Sequence, residues 1–265
     1  MKHVAPIALR ELYAFFVSPV AYVVLTLWSV LAGSFFLSSL LSFAAELEQA
    51  SRLQNTAHLA QLNLNDGMIM PFLGAMWIVM LFLLPAVTMG LFASEKANGT
   101  EELLMTSPVT AWDIVLGKFC AGGVFALLLI AVAAFFPGLL FVYGEPEVGK
   151  TASGLLGLLL VALAYVAVGA FASSLTRNQL IAFMLTLVIL IVLGMLLPFI
   201  VDAGIAGGHG NESMLASALG WASTGRHTEH LLSGLVDSAD FAYFAAVVAA
   251  FLVLTKAAVD SVRWR

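Results

Sequence analysis

Five stretches of this chain, residues 12–45, 67–94, 119–144, 151–176 and 178–201, contain no charged side chain. Each is longer than the roughly 20 apolar residues that carry an α-helix across about 30 Å of hydrocarbon. A sixth, 241–255, is shorter, but Lys256 can carry its ammonium outward on an apolar stem, which extends the run to Val259. The composition agrees: 62% of the 265 residues are hydrophobic and 10% are charged, against about a quarter charged in a soluble domain. The expected fold is all-α, a polytopic membrane protein of one domain with six transmembrane helices.

The net charge of −5 supplies no basic patch, so nucleic acid is not an expected partner. The single cysteine, Cys120, has no partner for an internal disulfide. Residues 1–16 lack a compact apolar core followed by a small-residue cleavage site, so no cleavable signal is expected.

Six crossings put both termini on one side. With that side inside, the inner segments hold Lys2, Arg10, Lys96, Lys118, Arg177, Lys256, Arg263 and Arg265, and the outer ones Arg52, Lys150 and Arg226. The positive-inside rule therefore predicts cytoplasmic termini. Residues 1–17 form an expected interfacial helix: Pro6 suits a first turn, and Leu9, Leu12, Tyr13 and Phe16 make an apolar stripe that excludes Arg10 and Glu11. Ser18-Pro19 marks the bend into the first span. Pro85, Pro137 and Pro198 are expected to kink their spans. The last outer loop, 202–240, opens with several glycines and then reads as two short helical pieces that re-enter the outer leaflet.

The most informative segment is the cytoplasmic connection at 94–113, within SEKANGTEELLMTSPVTAWDIVLGKF from Ser94 to Phe119. Gly99 ends one helix. Thr100 caps the next, with Glu101 and Glu102 at its positive end. Leu103, Leu104 and Met105 follow, and Ser107-Pro108 stops the element. Thr110 and Asp113 have capping-box spacing for the third span. A short helix that turns three large apolar side chains towards the cytoplasm suits docking into a partner's groove; the blander reading packs it on the chain's own inner ends.

This segment resembles the coupling loop of the ATP-binding-cassette (ABC) exporter permeases of type 2. The likeness rests on Glu95-Lys96, Gly99-Thr100, Glu102-Leu103-Leu104, Thr106-Ser107-Pro108 and Gly117-Lys118-Phe119. Ser94 departs from it, standing where a second acidic residue is expected. Arg10-Glu11-Leu12 with Ser18-Pro19 and Ala21-Tyr22 resembles the family's N-terminal helix and first-span entry. Ser173-Ser174-Leu175-Thr176-Arg177-Asn178-Gln179 resembles its second cytoplasmic turn. His227, Glu229, Gly234, Asp237, Asp240 and Tyr243 follow its pattern before the last span, most like the gliding-motility-type branch.

The resemblance implies a non-catalytic permease subunit in a bacterial inner membrane. It would be paired with a second copy or a sister permease and seated on two cytoplasmic ATPases that hold the ATP and magnesium. No cofactor would be bound by this chain. Glu95, Lys96, Gly99, Thr100, Glu101, Glu102, Leu103, Leu104 and Met105 would meet the ATPase, Thr176, Arg177 and Asn178 would form a second contact, and Arg10 and Glu11 would belong to the interfacial helix. The branch also implies a membrane-anchored auxiliary subunit outside.

Other patterns point elsewhere. Residues 144–151 spell the phosphate-loop pattern, Gly144 to Lys150-Thr151, but they link two spans and carry Glu145 and Glu147. His227, Glu229 and His230 fall short of a convergent metal-ligand set and read better as a polar helix face. Ser173 or Ser174 with His227 would suit an intramembrane protease, but the two lie on opposite sides in this topology. A secondary transporter or channel working without ATP is the serious rival. It would place ionisable groups at mid-membrane, and the five main spans have none there.

Overall fold

The computed structural model describes residues 3–54, 62–100, 109–200 and 220–263. Every regular element among them is helical: α1 (Val4–Val17), α2 (Pro19–Arg52), α3 (Met70–Thr88), α4 (Gly90–Asn98), α5 (Ala111–Tyr143), α6 (Val148–Leu175), α7 (Gln179–Ile191), α8 (Thr224–Leu232) and α9 (Ser238–Arg263). Six helical units are long and apolar enough to cross a bilayer: Pro19–Arg52, Asn65–Asn98, Ala111–Tyr143, Val148–Leu175, Gln179–Ile200 and Ser238–Ser261. The six expected spans are therefore present, and most overrun their uncharged stretches by a turn or more.

The fourth span is the hub. The most apolar window of α6 is 67% buried, against 22% for the first and fifth spans, and α6 packs against α3, α5, α7, α8 and α9. Its sequence explains this, since small side chains let helices approach closely in lipid, where water drives no association. A β-carbon on Gly157 would lie 2.7 Å from the Leu231 side chain of α8. Indole and phenol hydrogen bonds add to this packing: Trp28 Nε1 donates to the Leu129 carbonyl at 2.8 Å, and Trp77 Nε1 to the Tyr165 hydroxyl at 2.9 Å.

Prolines act through local widening and breaks. π-Helical turns at Asn65–Ile69 and Val192–Leu196 each end one residue short of a proline, Pro71 and Pro198. A proline ring collides with the carbonyl four residues back in a regular α-helix, and a wider turn relieves that collision. Those carbonyls belong to Gly67 and Gly194. Pro85 lies near the end of α3, where the second span breaks before α4 starts at Gly90. Pro137 sits inside an otherwise continuous α5.

The two ends of the bundle differ. At one end Ile7 of α1 joins Leu91, Phe92, Ala111, Ile114, Leu252 and Val259 in a single apolar cluster, so the first and last helices both reach it. At the other end the buried Asn65 side chain donates to the Glu147 carbonyl and the Thr151 hydroxyl, and its oxygen accepts from Glu147 N at 2.7 Å. The phosphate-loop spelling falls in this turn. A helix rather than a strand precedes it, and Lys150 is paired with Asp66 and Glu147. Of the two helical pieces expected in 202–240, the second is α8, packed on α6. Residues 202–219, with the first piece, lie outside the described residues.

Candidate coupling site

The site grows from the second span's continuation, α4. Gly99 ends it with φ +71°, a left-handed conformation that a side chain would strain. Thr100 N then closes back onto the Glu95 carbonyl at 3.0 Å. On the far side of the segment Thr110 caps α5: its hydroxyl accepts from Asp113 N at 3.2 Å and donates to the Asp113 carboxylate at 2.7 Å, the expected capping box. Glu101, Glu102, Leu103, Leu104 and Met105 lie outside the described residues. Both roots of their segment are described.

One buried lysine joins those roots. Lys118, two turns into α5, has no solvent exposure. Its ammonium lies 3.0 Å from Glu11 Oε1 of α1 and 2.9 Å from Glu95 Oε2 of α4. It also donates to the Leu91 carbonyl at 2.5 Å, so all three ammonium protons have acceptors. Its charge sits 5.2 Å from the Phe92 ring centroid. A lysine near a span end can carry its ammonium out to the interface; Lys118 instead turns inward, because two carboxylates from separate elements offset the cost of burying the charge.

Arg10 closes the network, reaching Glu11 at 2.7 Å and Glu95 at 2.8 Å. The Glu11 hydrogen bond outweighs partial burial and holds the guanidinium above its ordinary pKa, with Glu95 adding to the effect. Two cations and two anions therefore bind α1, α4 and α5 into one neutral cluster. Gly117 permits the approach: a β-carbon there would lie 2.7 Å from Ile7 of α1. The expected apolar stripe on α1 is divided. Leu9 and Tyr13 remain 68% and 74% exposed, as a helix lying on lipid requires, while Leu12 and Phe16 are half-buried; off the stripe, Ile7 is buried with Phe15 packed against its cluster. A cavity of about 300 Å³ lined by Glu11, Phe15, Val24, Met89, Ser94 and Gln179 separates α1 from the α3–α4 break.

The second predicted contact sits close by. Lys96 Nζ donates to the Ser174 carbonyl at 2.6 Å, beside the Thr176–Asn178 turn. Thr176 accepts from Asn178 N, Asn178 caps α7 through Leu180 N, and Arg177 is exposed between them. Ser173, weighed from the sequence as a nucleophile, has a structural task instead. Its hydroxyl accepts from Phe92 N and Ala93 N at 3.0 Å and donates to the Met89 carbonyl at 2.8 Å, so it bridges the α3–α4 break. Ser173→Ala should leave two buried amides unpaired and cost about 1–3 kcal/mol in unfolding free energy measured in detergent. An unchanged unfolding curve would show that the break holds without it.

Sequence reasoning placed Arg10, Glu11, Glu95, Lys96 and the 176–178 turn at one end, and the structure brings them together there. It named Lys118 and Ser173 within motifs, and Ser173 as a possible nucleophile, but gave neither the pairing that the structure shows. The available signal for Lys118 was a lone cation with carboxylates at the same topological end; for Ser173 there was none.

A family model described as "ABC-2 family transporter protein" matches residues 5–263, almost the whole chain. No curated protein matches it.

Proposed function

The chain belongs to the ABC-2 family of transporter proteins, and from that premise we propose that it is the permease subunit of an ATP-driven exporter of the gliding-motility-type branch. The family implies a cytoplasmic ATPase as partner and a bilayer as surroundings; catalysis is not the task of this subunit. In the proposed assembly two ATPases hold the ATP and magnesium, and this chain pairs with a second copy or a sister permease. The termini and residues 94–113 face the cytoplasm of a bacterial inner membrane. An auxiliary membrane-anchored subunit completes the outer side.

The observation that carries this reading is the Lys118 network. A short segment between Thr100 and Val109 is rooted in two spans, and both roots are tied to α1 by ion pairs, Lys118–Glu11 buried and Glu95–Arg10 half-exposed. A push on Glu95 to Met105 would therefore reach the second span, the third span and the interfacial helix together. Such a push shifts the spans only if the segment contacts the two ATPase states differently. The second contact, at Thr176, Arg177 and Asn178, is tied to the first through Lys96.

The test is Leu103→Asp with Leu104→Asp. The variant should still insert into the membrane and should lose the co-purifying ATPase, since a charge in a docking groove removes its apolar anchor. Full retention of the ATPase would remove the docking assignment. Solute or ion flux by the reconstituted chain alone, without ATP, would favour the secondary-transporter reading instead.

A further inference from the structure

The far end of the bundle holds a buried polar cluster that coupling does not use. His227 of α8 has Nδ1 2.5 Å from Asp240 Oδ1 of α9 and Nε2 3.0 Å from the Trp221 carbonyl. Its ring stacks on Tyr243 with centroids 4.2 Å apart. The Tyr243 hydroxyl donates to the Ala222 carbonyl at 2.9 Å and meets the Thr224 hydroxyl at 2.8 Å. Asp240 is 1% exposed, and its Oδ2 has no hydrogen-bond partner among the described residues.

Counting protons decides what this arrangement holds. A carbonyl oxygen only accepts, so Nε2 carries a hydrogen. Nδ1 and Oδ1 do not approach so closely lone pair to lone pair, so a second proton lies between them. It can be assigned as imidazolium with carboxylate or as imidazole with carboxylic acid. Either way the pair is neutral overall and carries one proton more than a neutral imidazole beside a carboxylate. Neutrality also suits burial, because a net charge beside an unpartnered carboxylate oxygen would be costly.

We infer that His227 and Asp240 form a proton-binding site that latches the Trp221–Ser223 turn onto the last span. When the shared proton leaves, the imidazole has one N–H for two acceptors. The carboxylate is the stronger acceptor and keeps it, which turns the Nε2 lone pair towards the Trp221 oxygen. The latched form is the one with the additional proton, so the latch holds at low pH and loosens as pH rises. Other ionisable groups around it are Arg226, Glu229 and His230 on α8, Asp237 just before α9, Tyr243 on α9, and Tyr165 and Lys150 on α6. Neither α3 nor the Val192–Leu196 turn contributes one. His230 Nδ1 lies 3.8 Å from Asp240 Oδ1 and needs its own control. The inference depends neither on membrane orientation nor on an ATPase.

Ser223 is fully buried between Trp221 and α8, so its exposure reports on the latch. Ser223→Cys would be placed in a Cys120→Ser background, in lipid nanodiscs where both faces meet the buffer. Its rate of maleimide modification would be divided by that of Val236→Cys, an exposed position, to remove the intrinsic thiol ionisation. Across a series of buffers from acid to alkaline, the ratio should rise about tenfold as the pair gives up its proton, the effect of losing one hydrogen bond to a charged group. His227→Gln and Asp240→Asn should each abolish the rise, and His230→Gln should preserve it. A constant ratio without these replacements overturns the inference whether or not the variants fold. So does a rise that survives in both His227→Gln and Asp240→Asn.

Discussion

Lys118→Met should lower the unfolding free energy by about 3–5 kcal/mol, the cost of leaving a buried charge without its partner. The side chain is close to isosteric, so packing around Phe92 is kept and the loss is electrostatic. Glu11 and Glu95, 14% and 19% exposed, would face each other across α1 and α4 with only Arg10 to neutralise them. Arg10 is half-exposed and lies towards solvent, where its attraction is screened. Adding Glu11→Gln and Glu95→Gln to Lys118→Met should recover most of the loss, since replacing all buried charges together is often near neutral. Equilibrium unfolding in mixed micelles measures all three states. A single-variant loss below about 1 kcal/mol, typical of exposed ion pairs, would mean that water reaches the cluster. The recovered triple variant also separates stability from the proposed coupling: it should be folded, and the ATPase partner's hydrolysis should no longer respond to the permease.

The spans were legible because length and charge-free composition are local properties that lipid reads directly. So were the local caps: Ser18 accepts from Val20 N, Gly99 ends α4, and Thr110 with Asp113 starts α5. What could not be read was long-range pairing. A lysine in an apolar run announces a cost, and whether it snorkels or finds a carboxylate depends on helix packing. Glu11 and Glu95 approach Lys118 from 107 and 23 positions away along the chain. The α3–α4 break was only half legible: Pro85 signals a kink, but the acceptor that satisfies the freed amides is Ser173, on another span. The apolar stripe of α1 was read from periodicity, and the structure shows that its packed edge includes a charged residue, Glu11. Periodicity counts such a position as polar and therefore outward.

Alanine at Gly169 should also be strongly destabilising, even though it favours the helix itself by about 1 kcal/mol. A β-carbon there would lie 2.0 Å from the Thr88 hydroxyl oxygen and 2.5 Å from Thr88 Cβ. The hydroxyl could rotate away at the expense of its bond to the Leu84 carbonyl. Thr88 Cβ is fixed to the α3 backbone and cannot. The two spans would have to separate, and overpacking of this kind costs about 1–3 kcal/mol. The damage should spread towards the candidate coupling site, because Ser173 lies one helical turn beyond Gly169 and grips Phe92 and Ala93. The geometry makes a sharper statement about rescue. Thr88→Ala should not restore Gly169→Ala, because the offending β-carbon remains, whereas Thr88→Gly should restore much of the packing at its own helix cost. Unfolding curves for the single and double variants decide this. If Gly169→Ala falls within about 0.5 kcal/mol of the parent, the range of a neutral surface substitution, then the α3–α6 contact is loose and the break cannot be held as described.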